Sequence, residues 1–265
     1  MIHKKKSPIK YLYLFPIFCL LGIFKSYPTQ SQSKESCLHN IYTAYIQGKI
    51  NVWEQNVLIL DQLLNIRETS IDILYQQALS EYGLVAYFLS TKQKNKAEKY
   101  LEMTERHCQH LIALKNNCAE YYALKSALFG YRTALAPYKA IFYGPQSVDA
   151  LEKGFALNKN SPAVWLEKGN SLYFRPKIFG GNKEDAIHCY SIAIKLFEVM
   201  LSKDISINNW LYLNTLVSLA RAYESVENYQ EAKNVYEKIL KREPLFLWVS
   251  KELYPMCLKK IINRS

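Results

Sequence analysis

The chain has 265 residues, enough for one sizeable domain or two small ones, and its 21 tyrosines and 11 phenylalanines far outnumber its nine glycines and nine prolines. Few chain breakers and many large apolar residues at helical spacing predict an all-α protein with a real core. The formal charge of +11 would suggest a nucleic-acid or membrane partner, but Lys4, Lys5, Lys6, Lys10 and Lys25 lie in the first 33 residues, and 11 minus 5 leaves +6 spread among many glutamates. With no concentrated basic stripe, nucleic acid is excluded as the expected partner.

In chain order, MIHKKKSPIK is basic, YLYLFPIFCLLGIF (11–24) is apolar, and SYPTQSQS is small and polar. That is the layout of a secretory signal peptide, assigned to residues 1–33, with a cut after Ser31 or Ser33. The apolar run is short for a membrane span and Pro16 interrupts it. Left uncut, the same run would anchor the protein to the membrane, facing outside the cytoplasm. Cys19 follows Pro-Ile-Phe, a poor lipobox. The expected location is therefore exported, periplasmic or secreted.

Residues 34–262 read as a single domain of about five helical hairpins and a closing helix. The first pair runs from Glu35 to Gln47 and, after Gly48, from Val52 to Leu64, with Trp53, Val57, Leu60 and Leu64 as its inner stripe. In the second, Ala78, Tyr82, Val85 and Ala86 mark one inner face, and Asn95 with Glu98 forms a cap before Ala97 and Leu101. The third begins near Asn117, breaks at Pro137, and resumes at SVDALEKGFALNKNSP, leaving 137–146 as a loop. The fourth is AVWLEKGNSLYF followed by EDAIHCYSIAIKLFEVML, joined by a second loop, 175–183, with two glycines.

The fifth pair, 208–244, is the most regular. Leu216, Leu219, Ala220 and Tyr223 form one apolar stripe, and Tyr229, Ala232, Tyr236 and Ile239 form another. Asn228 with Glu231 makes a capping-box-like pair, and Pro244 ends the second helix. Beyond it, Leu247, Trp248, Leu253 and Leu258 are expected to cover the last apolar face, on a helix kinked or divided at Pro255.

The order and spacing Leu216, Leu219, Ala220, Tyr223, Ala232, Tyr236, Ile239, Pro244 resembles the tetratricopeptide repeat (TPR). The resemblance covers most of the chain after the signal, and is densest over 145–250. YGP before the Ala150 helix, FGG before the Ala186 helix and WVSKELYP near the end resemble a subgroup of exported bacterial TPR proteins. The resemblance implies a right-handed α-solenoid of helix-turn-helix hairpins with a C-terminal capping helix. It brings no enzymatic activity and no cofactor.

In TPR proteins the first helix of each pair lines a concave groove. By register the groove would present Tyr131 or Arg132, Asn170 and Tyr173, and then Asn214, Val217, Arg221 and Glu224. Asparagines there can hold a partner's backbone amides and an arginine its carboxylate. The expected role is a non-catalytic scaffold for a protein or peptide partner. The alternative is a small-molecule or metal-binding protein using the groove beside the 137–146 and 175–183 loops.

Other chemistry is sparse. No Gly-x-Ser-x-Gly elbow, phosphate-cradling glycine loop or His-Glu-x-x-His occurs. His107 and His110 share a helical face with Cys108 between them, the only cluster of metal-ligand type. Cys108 and Cys118 flank one short turn, where an exported protein could place a disulfide.

Overall fold

The computed structural model describes residues 33–66, 70–203 and 209–263, so the signal segment lies outside it except for Ser33. The described residues are helical, with no strand among them. The hairpins are α1 (Lys34–Gln47) with α2 (Ile50–Ile66), and α3 (Ile71–Ser90) with α4 (Lys94–Leu114). Next come α5 (Ala119–Leu135) with α6 (Ala140–Leu157), α7 (Pro162–Phe174) with α8 (Lys183–Lys203), and α9 (Trp210–Ser225) with α10 (Tyr229–Arg242). A short capping helix, α11 (Tyr254–Ile262), follows. Each helix packs on the next, which is the layered order of an α-solenoid. No described helix is long and apolar enough to cross a membrane.

Local chemistry sets the helix ends. Ser33, Ser70, Asn209 and Asn228 each accept a hydrogen bond from a backbone N–H three residues on, at 3.1–3.3 Å, and so start α1, α3, α9 and α10. Three of the turns inside hairpins close through a left-handed residue: Gly48 (φ 65), Lys92 (φ 59) and Glu227 (φ 63). The α3–α4 and α9–α10 turns therefore match position for position. This moves the expected cap: Gln93, not Asn95, stands where Asn228 stands, and it makes no side-chain cap bond. The alanine register survives, with Ala97 and Ala232 both fully buried four residues later.

The core follows the sequence stripes at Trp53, Val57, Leu60, Ala78, Tyr82, Ala186, Tyr190, Ala220, Tyr236 and Ile239. Its centre is α3, where Ile73, Leu74, Gln77, Ala78, Ser80, Glu81, Tyr82, Gly83, Leu84, Val85 and Phe88 are all buried, whereas Ala86, expected on the inner face, is exposed. A Cβ on Gly83 would lie 2.5 Å from the Trp53 ring, so glycine lets the indole rest on the α3 backbone.

The chain also closes on itself, which repeat spacing alone does not predict. Trp210 at the start of α9 packs 5.0 Å from Trp53 and 5.8 Å from Tyr45, centroid to centroid. Tyr45 lies 5.0 Å from Phe246, donates a hydrogen bond to Asn214 Oδ1 at 3.2 Å, and neighbours Tyr42, whose hydroxyl donates to Glu243. The first hairpin thus lies against the last. Each such aromatic pair adds about 0.5–1.5 kcal/mol beyond the area it buries.

Three further expectations change. Most of 137–146 is helix: Pro137–Lys139 form one tight turn and α6 starts at Ala140, carrying Pro145 within it. Pro145 lies in the second turn of α6, where it cannot supply the N–H that would bond the Ile141 carbonyl. Leu157, seven residues after Ala150 as Ile239 is seven after Ala232, is not buried as Ile239 is but is 38% exposed. The end cap is made by Phe246, Val249 and Cys257, all fully buried, and not chiefly by Leu247 and Trp248. A wide π-helical turn, Val249–Leu253, precedes Pro255 and absorbs its missing donor.

Candidate functional site

Asn214, Val217, Ser218 and Arg221 recur at three- and four-residue intervals, so they share one face of α9. That face meets Tyr173 and Phe174 from the end of α7, Tyr190 from α8 and Trp248 from beyond α10, around a cavity of about 40 Å³. Arg221 is exposed at its rim and forms no ion pair among the described residues. Its guanidinium and the Asn214 and Ser218 side chains bring hydrogen-bonding groups to the mouth of an aromatic-walled cavity, chemistry that can pair with a carboxylate or an amide. Nothing there provides a nucleophile beside a base.

The remaining groove candidates are engaged elsewhere. Asn170 turns inward, donating to Glu167 Oε2 at 3.1 Å and accepting from the Tyr190 hydroxyl at 2.9 Å. Tyr131 packs against Tyr82 with ring centroids 5.4 Å apart. Arg132 leaves the groove to form a two-pronged ion pair with Glu105 at 2.7 and 2.5 Å. Glu224 accepts from Tyr236 at 2.8 Å and from Lys260 at 2.6 Å. Of the eight residues named from the repeat register, Tyr173, Asn214, Val217 and Arg221 converge on one cavity.

Register arguments missed the buried polar set behind this face. Glu167 is enclosed, and burial pushes its carboxyl up to about 7, opposed by hydrogen bonds from Asn170 and from the Tyr82 hydroxyl at 2.8 Å. A void of about 10 Å³, roughly one water, lies beside it. A glutamate at the centre of an otherwise apolar AVWLEKG helix start was the available signal. Ser218 was also legible, one helical step from Asn214 and Arg221, whereas Trp248 enters from a region without repeat register.

The metal and disulfide candidates have other roles here. The half-buried His107 Nδ1 sits 2.8 Å from Oε2 of the buried Glu81, while His110 is exposed. No three metal-type ligands gather among the described residues. Cys108 and Cys118 are separate thiols: Cys108 donates to the Tyr121 carbonyl at 3.5 Å and Cys118 to Glu120 at 3.0 Å. Burial raises the first thiol to about 12 and the second to about 11, so both stay protonated.

These features define a TPR-type α-solenoid with part of its concave side closed. The fold is shared with solved structures. One is the thermophilic TPR protein TTC0263 of Thermus thermophilus, at 18% identity over 85% of this chain and 99% of that one, with a TM-score of 0.55. Another is the HusA haemophore from Porphyromonas gingivalis, at 14% identity over 74% of this chain and 97% of that one, with a TM-score of 0.56. No family model matches the sequence, and no curated protein matches it.

Proposed function

We propose that this protein is an exported, non-catalytic TPR scaffold that binds a protein or peptide partner, with an acidic group of that partner seated at Arg221. The observation that carries the proposal is the unpaired Arg221 at the mouth of the cavity formed with Asn214, Ser218 and Tyr173. Elsewhere on the groove face the charged side chains Arg132 and Glu224 already have partners within the chain, so Arg221 is the charge left for a ligand. Export rests on the basic–apolar–small order of residues 1–33, and the FGG segment fits the exported subgroup that the sequence resembles.

Cavity size ranks the alternatives. Pockets that enclose small ligands typically have about 300–1,000 Å³. The cavity here has about 40 Å³, room for a carboxylate or a side-chain tip. A haemophore shares the fold, but this space favours a peptide over an enclosed cofactor. The test is a peptide-display selection followed by calorimetry on the purified protein. Acidic peptides are expected to be enriched, and Arg221→Ala to weaken them about 10- to 100-fold, the scale of a charged hydrogen bond. Binding that is indifferent to Arg221, or selection of neutral peptides only, would count against the proposal.

A further inference from the structure

We propose that the end of the solenoid bearing the α5–α6 and α7–α8 connections docks onto an anionic lipid surface. Successive helices of the stack run antiparallel, so α5 and α7 run parallel, and they pack side by side. Their C-terminal ends, and the connections that follow, therefore emerge from the same end of adjacent hairpins.

Both connections hold large apolar side chains in water. Tyr138 is 79% exposed, Ile141 74% and Phe142 66% on the first; Phe174 is 72%, Ile178 85% and Phe179 66% on the second. These are not loose tips. Gly180 is left-handed (φ 86), and a Cβ on Gly181 would overlap the Arg175 carbonyl oxygen, so the backbone folds tightly against itself. The Gly181 N–H donates to the Pro176 carbonyl at 3.1 Å and the Asn182 N–H to the Leu172 carbonyl at 3.0 Å. Asn182 in turn caps α8 through Glu184 N and Asp185 N. A well-built turn thus holds Ile178 and Phe179 outward.

The charge around these tips is of one sign. Residues 137–146 and 174–183 contain Lys139, Arg175, Lys177 and Lys183 and no acidic residue. Lys139 and Lys177 are exposed; Lys183 lies over the Tyr173 ring and donates to the Tyr173 carbonyl, and Arg175 bonds Ser171 Oγ at 2.6 Å. The nearest acids along the chain are Glu184 and Asp185, in the first turn of α8 behind Lys183, and Asp149, far along α6. Aromatic and aliphatic tips among cations suit an anionic bilayer surface, where rings enter the headgroup layer and ammonium groups meet phosphates. Charge complementarity selects that occupant over a neutral apolar one. A fluid bilayer can close around such exposed side chains without a preformed pocket.

The test uses the full chain with Cys19→Ser and Cys118→Ser, carrying an environment-sensitive fluorophore at Phe179→Cys or, as control, at Lys159→Cys in the α6–α7 turn at the opposite end. Vesicles contain phosphatidylcholine alone or with phosphatidylglycerol, plus a lipid-borne quencher. On anionic vesicles the label at 179 should shift to the blue and be quenched, while the label at 159 stays unchanged. Neutral vesicles, or Lys139→Glu with Lys177→Glu, should lower the quenched fraction about tenfold. Vesicle-bound protein with an unquenched label at 179 would overturn the proposal, because the 11–24 segment would then account for binding. Equal quenching at both positions would overturn it too. So would a concentration-dependent shift at 179 without lipid, which would assign the patch to a second copy of the chain.

Discussion

Two groups of aromatic side chains in this molecule share chemistry and differ in environment. Tyr45, Trp53, Trp210 and Phe246 meet where the first hairpin lies on the last, with Trp53, Trp210 and Phe246 buried. Tyr138, Phe142, Phe174 and Phe179 stand at one end of the middle hairpins, each at least 66% exposed. The first group fastens the first hairpin to the last. The second contributes little to the core and faces outward. High aromatic content in this chain therefore divides between a buried seam and an exposed edge, which composition alone merges.

The largest test of the contrast is Trp210→Ala. It removes the side chain that Tyr45, Trp53 and Tyr82 all pack against, and should cost about 4 kcal/mol in chemical denaturation. A loss no larger than that of an ordinary surface substitution would deny the closure. The second test uses pH. Burial raises the Glu167 carboxyl from 4.5 to about 7, so over that interval the folded protein holds a proton that the unfolded chain has released. Its stabilising contribution is complete below about pH 4.5 and is lost as pH rises through about 7, a swing on the order of 3 kcal/mol. Glu167→Gln should flatten that slope and be the more stable form near neutral pH, read from urea melts across the range. A parallel pH profile in the variant would show that the carboxyl is not held as described.

Smaller effects separate the two regions further. Tyr42→Phe deletes the hydroxyl that reaches Glu243 between the first and last hairpins, and should cost about 1 kcal/mol. Ile178→Asp lies on the exposed edge and should change stability by no more than about 0.5 kcal/mol. If Ile178→Asp instead destabilised as strongly as Trp210→Ala, the edge would be core in solution, and the contrast between the two regions would collapse.

Much of the fold was legible because each hairpin depends on local spacing. Ala97, Ala186, Ala220 and Ala232 sit where backbones approach closely, and all four are fully buried. Caps were less legible: Asn95 has the right chemistry, but the left-handed Lys92 starts the next helix two residues earlier than a cap at Asn95 would allow. The cavity was partly legible, since Tyr173, Asn214 and Arg221 keep the repeat register that points first helices inward. What no local pattern could supply was the meeting of Tyr42 and Tyr45 with Asn214, Glu243 and Phe246, residues about two hundred positions away. A register argument also overcounts the groove, because Asn170, Arg132 and Glu224 are taken by Glu167 and Tyr190, by Glu105, and by Tyr236 and Lys260.

Native-state hydrogen exchange of α1 tests the closure most directly. If the first hairpin is locked onto α9, the amides of Ile41 to Ile46 should exchange at the rate of global unfolding, together with those of Leu213 to Ala220. Trp210→Ala should then release α1 before the rest of the chain. Fast exchange of α1 in the unmodified protein, as in the frayed end of an open solenoid, would contradict the account.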